Sequence, residues 1–207
     1  MDGVIVDSNP LHRVVWEEYN RRHGLETTEA MHNRMYGKRN DQIVRDFYGS
    51  EISEDEVFAH GAAKEALYRE MLKPQLASSL VPGIRAFLER YPGIPKAVAT
   101  NAEPANLNFI LDEAGLRSFF LAAVDGHQVK NPKPDPEVFL RAAELLGFPP
   151  ENCVVFEDSR TGVQAGIAAG MRVVGISTTH DDLQGVALSV PDFNSPALAD
   201  WLELQLR

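Results

Sequence analysis

The chain has 207 residues, 44% hydrophobic and 24% charged, with 30 acidic against 20 basic side chains and a net charge of −10. It is long enough for one good core, or a core with a small inserted unit, and its acidic balance excludes a nucleic-acid surface, which needs a basic excess. A single cysteine, Cys153, excludes an internal disulfide and a cysteine-rich zinc site. No apolar run approaches the ~20 residues of a membrane span and no signal-peptide pattern opens the chain, so a cytoplasmic protein without a membrane partner is expected.

The chain begins MDGVIVDSNP: an acid, Asp2, an apolar Val4–Val6 stretch, a second acid, Asp7, and then Ser8-Asn9-Pro10, a helix-start signal. Residues 10–78 are helix-like throughout, with Val14, Val15 and Tyr19, then Ile43, Val44 and Phe47, then Val57, Ala62, Ala66 and Leu67. Two readings of this segment stand. It is either extra helices on one core, or a helical cap inserted after a first strand, with hinges near Pro10–Arg13 and Leu76–Pro82. The boundaries expected for the second reading are 1–12 and 79–207 for the core and 13–78 for the cap.

From residue 80 onward the pattern changes. Helical patterns follow Pro82-Gly83, Pro104 and Asp135-Pro136. Continuous apolar runs lie at Ala97-Val98-Ala99, Cys153-Val154-Val155-Phe156 and Val173-Val174-Gly175-Ile176. Such runs read as strands buried on both faces of a parallel sheet, so residues 80–180 predict an α/β, Rossmann-like core. Gly162, Gly166 and Gly170 recur at four-residue spacing without a dinucleotide fingerprint, and read as one small-residue helix face lying close to the sheet. Cys153 reads as strand filling.

In open parallel sheets, ligands bind at the carboxyl ends of the strands. The polar residues there are Asp2, Thr100-Asn101 and Glu157-Asp158, with Lys133 presented by the proline-stiffened loop Asn131–Pro136. Each alone has an ordinary reading: Asp158-Ser159 as a helix cap, Thr100-Asn101 as loop chemistry, Lys133 as a solvated cation. Together they supply acids, a hydroxyl, an amide and an ammonium, a set suited to a hard cation such as Mg²⁺ and a phosphoryl group.

These residues fall into four ordered motifs: Met1-Asp2-Gly3-Val4-Ile5-Val6-Asp7-Ser8, Ala97-Val98-Ala99-Thr100-Asn101, Lys133-Pro134-Asp135-Pro136, and Phe156-Glu157-Asp158-Ser159 with Gly162. Together with the Gly166–Met171 stretch, the chain resembles the haloacid dehalogenase superfamily, in the branch of β-phosphoglucomutases and small phosphosugar phosphatases. The resemblance implies a Mg²⁺-dependent phosphatase acting on a small phosphorylated metabolite, as a monomer or weak homo-oligomer. By position it implies Asp2 as general acid/base whose backbone carbonyl touches the metal, and Thr100, Asn101 and Lys133 as phosphoryl-binding groups. Glu157 and Asp158 become metal ligands, and His12 matches a histidine near the cap hinge. Lys38 and Arg39, in a basic turn, have a substrate-gripping reading and an equally good solvated one.

The family's nucleophile is the first Asp of Asp-x-Asp, and the matching position lies before Met1. The sequence as it stands is therefore expected to be an inactive scaffold, short also of a central strand whose buried side chains contribute roughly 1.5–3 kcal/mol each. A phosphomutase and a catalytically silent phosphate- and metal-binding homologue stand as alternatives.

Overall fold

A computed structural model describes residues 1–35 and 40–206. Its residues pack as two compact units, Ser8–Gln75 and a second one made of Met1–Asp7 with Leu76–Arg207.

The Ser8–Gln75 unit is helical: α1 (Asn9–Arg22), α2 (Glu29–Met35), α3 (Asn40–Tyr48) and α4 (Glu54–Leu72). Helix α1 starts where Ser8-Asn9-Pro10 predicts, with proline in its first turn, where a missing N–H costs nothing. Val15, Trp16 and Tyr19 face inward, whereas Val14 is exposed, so the apolar stripe is narrower than the sequence pattern. Trp16, 1% exposed, meets Phe47 edge-on with ring centres 5.3 Å apart, which makes it a core residue. Helix α4 opens with a capping box. The Ser53 hydroxyl accepts from the Glu56 N–H at 3.3 Å, and the Glu56 carboxylate accepts from the Ser53 N–H at 2.9 Å. Ser53→Ala is expected to cost about 1 kcal/mol, read as faster amide exchange in the first turn of α4; unchanged exchange would contradict it.

The other unit carries the sheet. In chain order it contains α5 (Leu76–Ser79), α6 (Ile84–Arg90), β1 (Ala97–Ala99), α7 (Pro104–Glu113), β2 (Ala122–Val124), α8 (Glu137–Leu146), β3 (Val154–Glu157), α9 (Arg160–Ala168), β4 (Arg172–Ile176), β5 (Leu188–Val190) and α10 (Pro196–Gln205). The ladders between these strands are parallel, giving the expected α/β architecture, and Val6 makes an isolated antiparallel bridge with Leu80. The strands form two ladders, β1–β2 with Ala97 opposite Ala122, and β3–β4–β5 with Val154 opposite Arg172 and Val174 opposite Leu188. β1, β3 and β4 match the apolar runs within a residue or two. β2 ends the apolar run at 119–124, which is not among the runs expected to be strands, and β5 carries no run long enough to read.

Helices cover both faces of the sheet. On one, Val138, Phe139 and Ala142 of α8 and Val163 and Ala165 of α9 join Val155 and Val173 in a buried cluster. On the other, Phe156 packs against Phe87 of α6 and Phe193, with ring centres 5.4 and 5.5 Å apart. A Cβ on Gly166 would lie 2.7 Å from Val173 Cγ2, so the predicted close approach of helix to sheet is real there. Helix α8 begins one residue later than Asp135-Pro136 suggests. Pro136 is its N-cap residue, and the Asp135 carboxylate accepts from the Glu137 N–H at 3.0 Å.

The Val4–Val6 stretch is not an extended strand. It closes a tight turn in which the Gly3 N–H donates to the Val6 carbonyl at 2.7 Å and the Ile5 N–H to the Met1 carbonyl at 2.7 Å. Gly3 has φ +66°, and a Cβ there would lie 1.9 Å from the Asp158 carboxylate, so only glycine fits. Among the described residues, no helix is long and apolar enough to cross a membrane.

Candidate active site

The carboxyl ends of β1 and β3 are tied together by one side chain. Lys133 donates from Nζ to the Ala99 carbonyl at 3.2 Å and makes a short ion pair with Glu157 Oε1. Its Nζ also lies 4.5 Å from the centre of the Phe139 ring. Both side chains are buried, at 8% and 5% exposure, so the solvated reading of Lys133 is overturned. The backbone of the same loop is anchored too, since the Lys133 N–H donates to Asn101 Oδ1 at 3.3 Å.

Thr100, directly after β1, is buried, and its hydroxyl oxygen accepts the Ala102 N–H at 3.1 Å. That leaves the hydroxyl proton able to donate to a ligand. Asn101 next to it is exposed.

After β3, the paired acids take different roles. Glu157 Oε2 accepts from the Asp158 N–H, the Ser159 N–H and the Ser159 hydroxyl at 3.1, 3.3 and 3.0 Å. Burial opposes its ionisation, but the Lys133 ammonium and the Met1 amino group outweigh that and hold its carboxyl below the usual range. At Asp158 the balance runs the other way. Burial first, and then repulsion from Glu157 and more weakly Asp2, push it up to about 6 despite a short hydrogen bond from the Thr179 hydroxyl. The Met1 amino group shares this field: burial and Lys133 push it down, against Asp2, Glu157 and Asp158.

Both readings of Asp158-Ser159 hold, one residue each. Ser159 is the N-cap of α9, accepting from the Gly162 N–H at 3.0 Å, while Asp158 belongs to the acid cluster. Gly162 is required by the site, since a Cβ there would lie 2.0 Å from the Glu157 carboxylate carbon.

Asp2, Lys133, Glu157 and Asp158 thus share one electrostatic neighbourhood, with Thr100 and Asn101 on the strand end bridged by Lys133. His12 belongs to the helical unit. There its ring stacks on Tyr68, with centres 4.2 Å apart, and its Nδ1 lies 2.9 Å from Lys64 Nζ. Lys38 and Arg39 lie outside the described residues.

Sequence reasoning missed Thr178 and Thr179. Thr178 donates from Oγ1 to the Gly3 carbonyl at 2.5 Å, holding the Asp2 turn, and Thr179 engages Asp158. They follow the Val173–Ile176 run, so the strand-end rule that picked out Thr100 applies to them equally.

Among the described residues, no group of three or more His, Cys, Asp or Glu side chains is gathered closely enough to hold a metal ion alone. The donor chemistry nevertheless fits Mg²⁺, which typically takes one or two carboxylates and completes its shell with water and substrate oxygens. Glu157 and Asp158, adjacent at the end of β3, would be the two carboxylates.

A parallel α/β sheet that gathers paired acids, a buried ammonium and a hydroxyl at its strand ends has the make-up of a phosphoryl-transfer enzyme. The chain belongs to the haloacid dehalogenase-like hydrolase family, whose model matches residues 1–170. It is 33% identical over 178 residues to the fructose-1-phosphate phosphatase YqaB of Escherichia coli K12, covering 85% of this chain and 93% of that protein. It is 30% identical over 218 residues to a β-phosphoglucomutase of Mycobacterium bovis, covering 91% and 83% of the two. A solved family IA, variant 3 hydrolase of the superfamily from Entamoeba histolytica superposes with a TM-score of 0.87 at 25% identity, over 100% of this chain and 97% of that one.

Proposed function

We propose that this chain carries the site of a phosphatase that acts on a small phosphorylated sugar through a phospho-aspartate, with the Ser8–Gln75 unit as its cap. The observation that carries the reading is the buried Lys133–Glu157 pair bridging two parallel strand ends beside Thr100 and Asp158. A sugar phosphate fits the pattern of relatives, one a fructose-1-phosphate phosphatase by name.

In this reading the Thr100 hydroxyl and the Asn101 side chain bind phosphoryl oxygens, and the Lys133 ammonium offsets the charge that spreads over them during transfer. Glu157 and Asp158 would hold Mg²⁺, which when bound neutralises phosphoryl charge. Asp2 gives its proton to the leaving sugar oxygen, then takes one from the water that cleaves the acyl phosphate. The nucleophilic carboxylate belongs two residues before Asp2, one place outside the sequence.

The test is phosphate release from a panel of sugar phosphates with Mg²⁺, comparing the 207-residue chain with one extended upstream through an Asp at that position. Release from the extended chain alone is the expected outcome; no release from either chain on any substrate sinks the reading. The β-phosphoglucomutase relative favours a second reading, return of the phosphoryl to a sugar hydroxyl. Isomerised sugar phosphate in place of inorganic phosphate would select it.

A further inference from the structure

In the helical unit, α1, α3 and α4 bring four rings together. His23, the C-cap residue of α1, and His60 of α4 have ring centres 5.5 Å apart, with their planes at 63°. Tyr48, the last residue of α3, stacks on His60 with centres 4.2 Å apart, and Tyr19 lies 4.3 Å from His23. Tyr19 anchors both imidazoles. His23 Nδ1 lies 2.8 Å from the Tyr19 carbonyl oxygen, and His60 Nδ1 lies 2.9 Å from the Tyr19 hydroxyl.

These contacts decide which nitrogens are left over. A carbonyl only accepts, so in the neutral His23 ring Nδ1 carries the proton and Nε2 the lone pair. The Tyr19 hydroxyl can donate or accept, so His60 can hold the same tautomer. Among the described residues, no hydrogen bond or ion pair occupies either Nε2. An Nδ1–H given to an oxygen, with the Nε2 lone pair left for something else, is the usual arrangement of a metal-binding histidine. The spacing agrees. A bond of about 2.1 Å places an ion about 3.2 Å from each ring centre, so a tetrahedral ion holds two ring centres about 5.2 Å apart. His23 is exposed and His60 half-buried, so an ion can reach them from solvent. Glu56, one turn before His60 on α4, adds negative charge nearby.

We propose that His23 and His60 form a two-imidazole site for a divalent transition-metal ion such as Zn²⁺. No third histidine, cysteine or carboxylate among the described residues joins them, so water fills the remaining positions. Imidazole nitrogens select such ions over Mg²⁺, which takes oxygen. The bound ion clips the end of α1 to α4 within the Ser8–Gln75 unit, and it owes nothing to the carboxylates at the strand ends of the other unit.

The experiment titrates the full chain with Zn²⁺, Mg²⁺ being present in excess, and follows the imidazole resonances of all six histidines. His23 and His60 should shift together, at one ion per chain. Mg²⁺ alone should move neither. At a Zn²⁺ concentration a hundredfold above Kd, α4 amides that exchange by unfolding of the helical unit should slow about a hundredfold. His23→Asn or His60→Asn should weaken binding about 10²-fold or more, because the second ligand no longer closes on an ion already held by the first. Tyr19→Phe, which removes only the anchor of His60, should weaken it about tenfold. Should these variants not fold, the paired shift in the parent chain decides. No shift at millimolar Zn²⁺, a shift of one ring without the other, or undiminished affinity in either asparagine variant overturns the site.

Discussion

Replacing Lys133 by methionine is expected to lower the stability of the sheet-bearing unit by about 3–5 kcal/mol, the usual cost of removing one partner from a buried ion pair. The cause is what remains. Glu157 stays 4% exposed, keeps its hydrogen bonds from Ser159, and loses the largest of the influences that keep it ionised. The Ala99 carbonyl loses its donor as well. Adding Glu157→Gln to Lys133→Met should recover much of the loss, because the uncompensated charge is then gone. Urea midpoints of the parent, the single and the double variant decide the matter; a single variant as stable as the parent would show that the pair contributes nothing. In the upstream-extended chain, Lys133→Met should also cost about 10²–10³-fold in phosphate release, the scale of losing one preorganised donor to a charged transition state.

Lys64→Met should have an effect of similar size in the helical unit, with a distinctive pH signature. Lys64 and Glu65 are 1% and 4% exposed and pair at 2.8 Å. Lys64 also lies 5.2 Å from the Trp16 ring centre, and Asn40 donates to Glu65 at 2.5 Å. Burial pushes the Glu65 carboxyl up, but Lys64, His12 and the Asn40 hydrogen bond outweigh it and bring it down to about 2. A folded-state value below the unfolded one means that ionised Glu65 stabilises the fold. The contribution, about 3 kcal/mol, is complete above the unfolded value near 4.5 and is lost as pH falls from there toward 2. Without Lys64, burial dominates, and the sign reverses: the folded state then favours protonated Glu65, and stability falls as pH rises through the carboxylate range. Protection factors in α4, that is exchange rates corrected for the intrinsic pH dependence of amide exchange, should therefore change in opposite directions between pH 3 and pH 6 in parent and variant. The same direction in both would show that Lys64 is not what holds Glu65 ionised.

Much of the fold is legible from local pattern. The apolar runs at 97–99, 153–156 and 173–176 became β1, β3 and β4 because strands covered on both faces leave no polar alternation, and proline marks the starts of α1 and α7. β2 and β5 escaped, each for its own reason. β2 ends an apolar run at 119–124 whose first residue closes a 3₁₀ turn, and β5, with Ser189 at its centre, is a strand by virtue of its pairing with β4 rather than its own composition. The Val4–Val6 run has strand composition yet closes a turn, because Gly3 takes a positive φ under the Asp158 carboxylate.

The chain order of acids, threonine, lysine and glycines was enough by itself to determine the family and to select Asp2, Thr100, Lys133, Glu157 and Asp158, since the strand-end rule needs only sequence positions. What only the tertiary structure decided is how charge is distributed among them. Lys133 is buried against Glu157 and not Asp158, so one acid is held ionised and its neighbour is pushed up to about 6. Thr178 and Thr179 join from the end of β4, a strand remote in sequence from Gly3. Residue types can be read one at a time. Desolvation and Coulomb interaction depend on distances between segments that are separate in sequence, from 24 residues for Lys133 and Glu157 to 175 for Thr178 and Gly3, and those distances exist only once the sheet has brought its strand ends together.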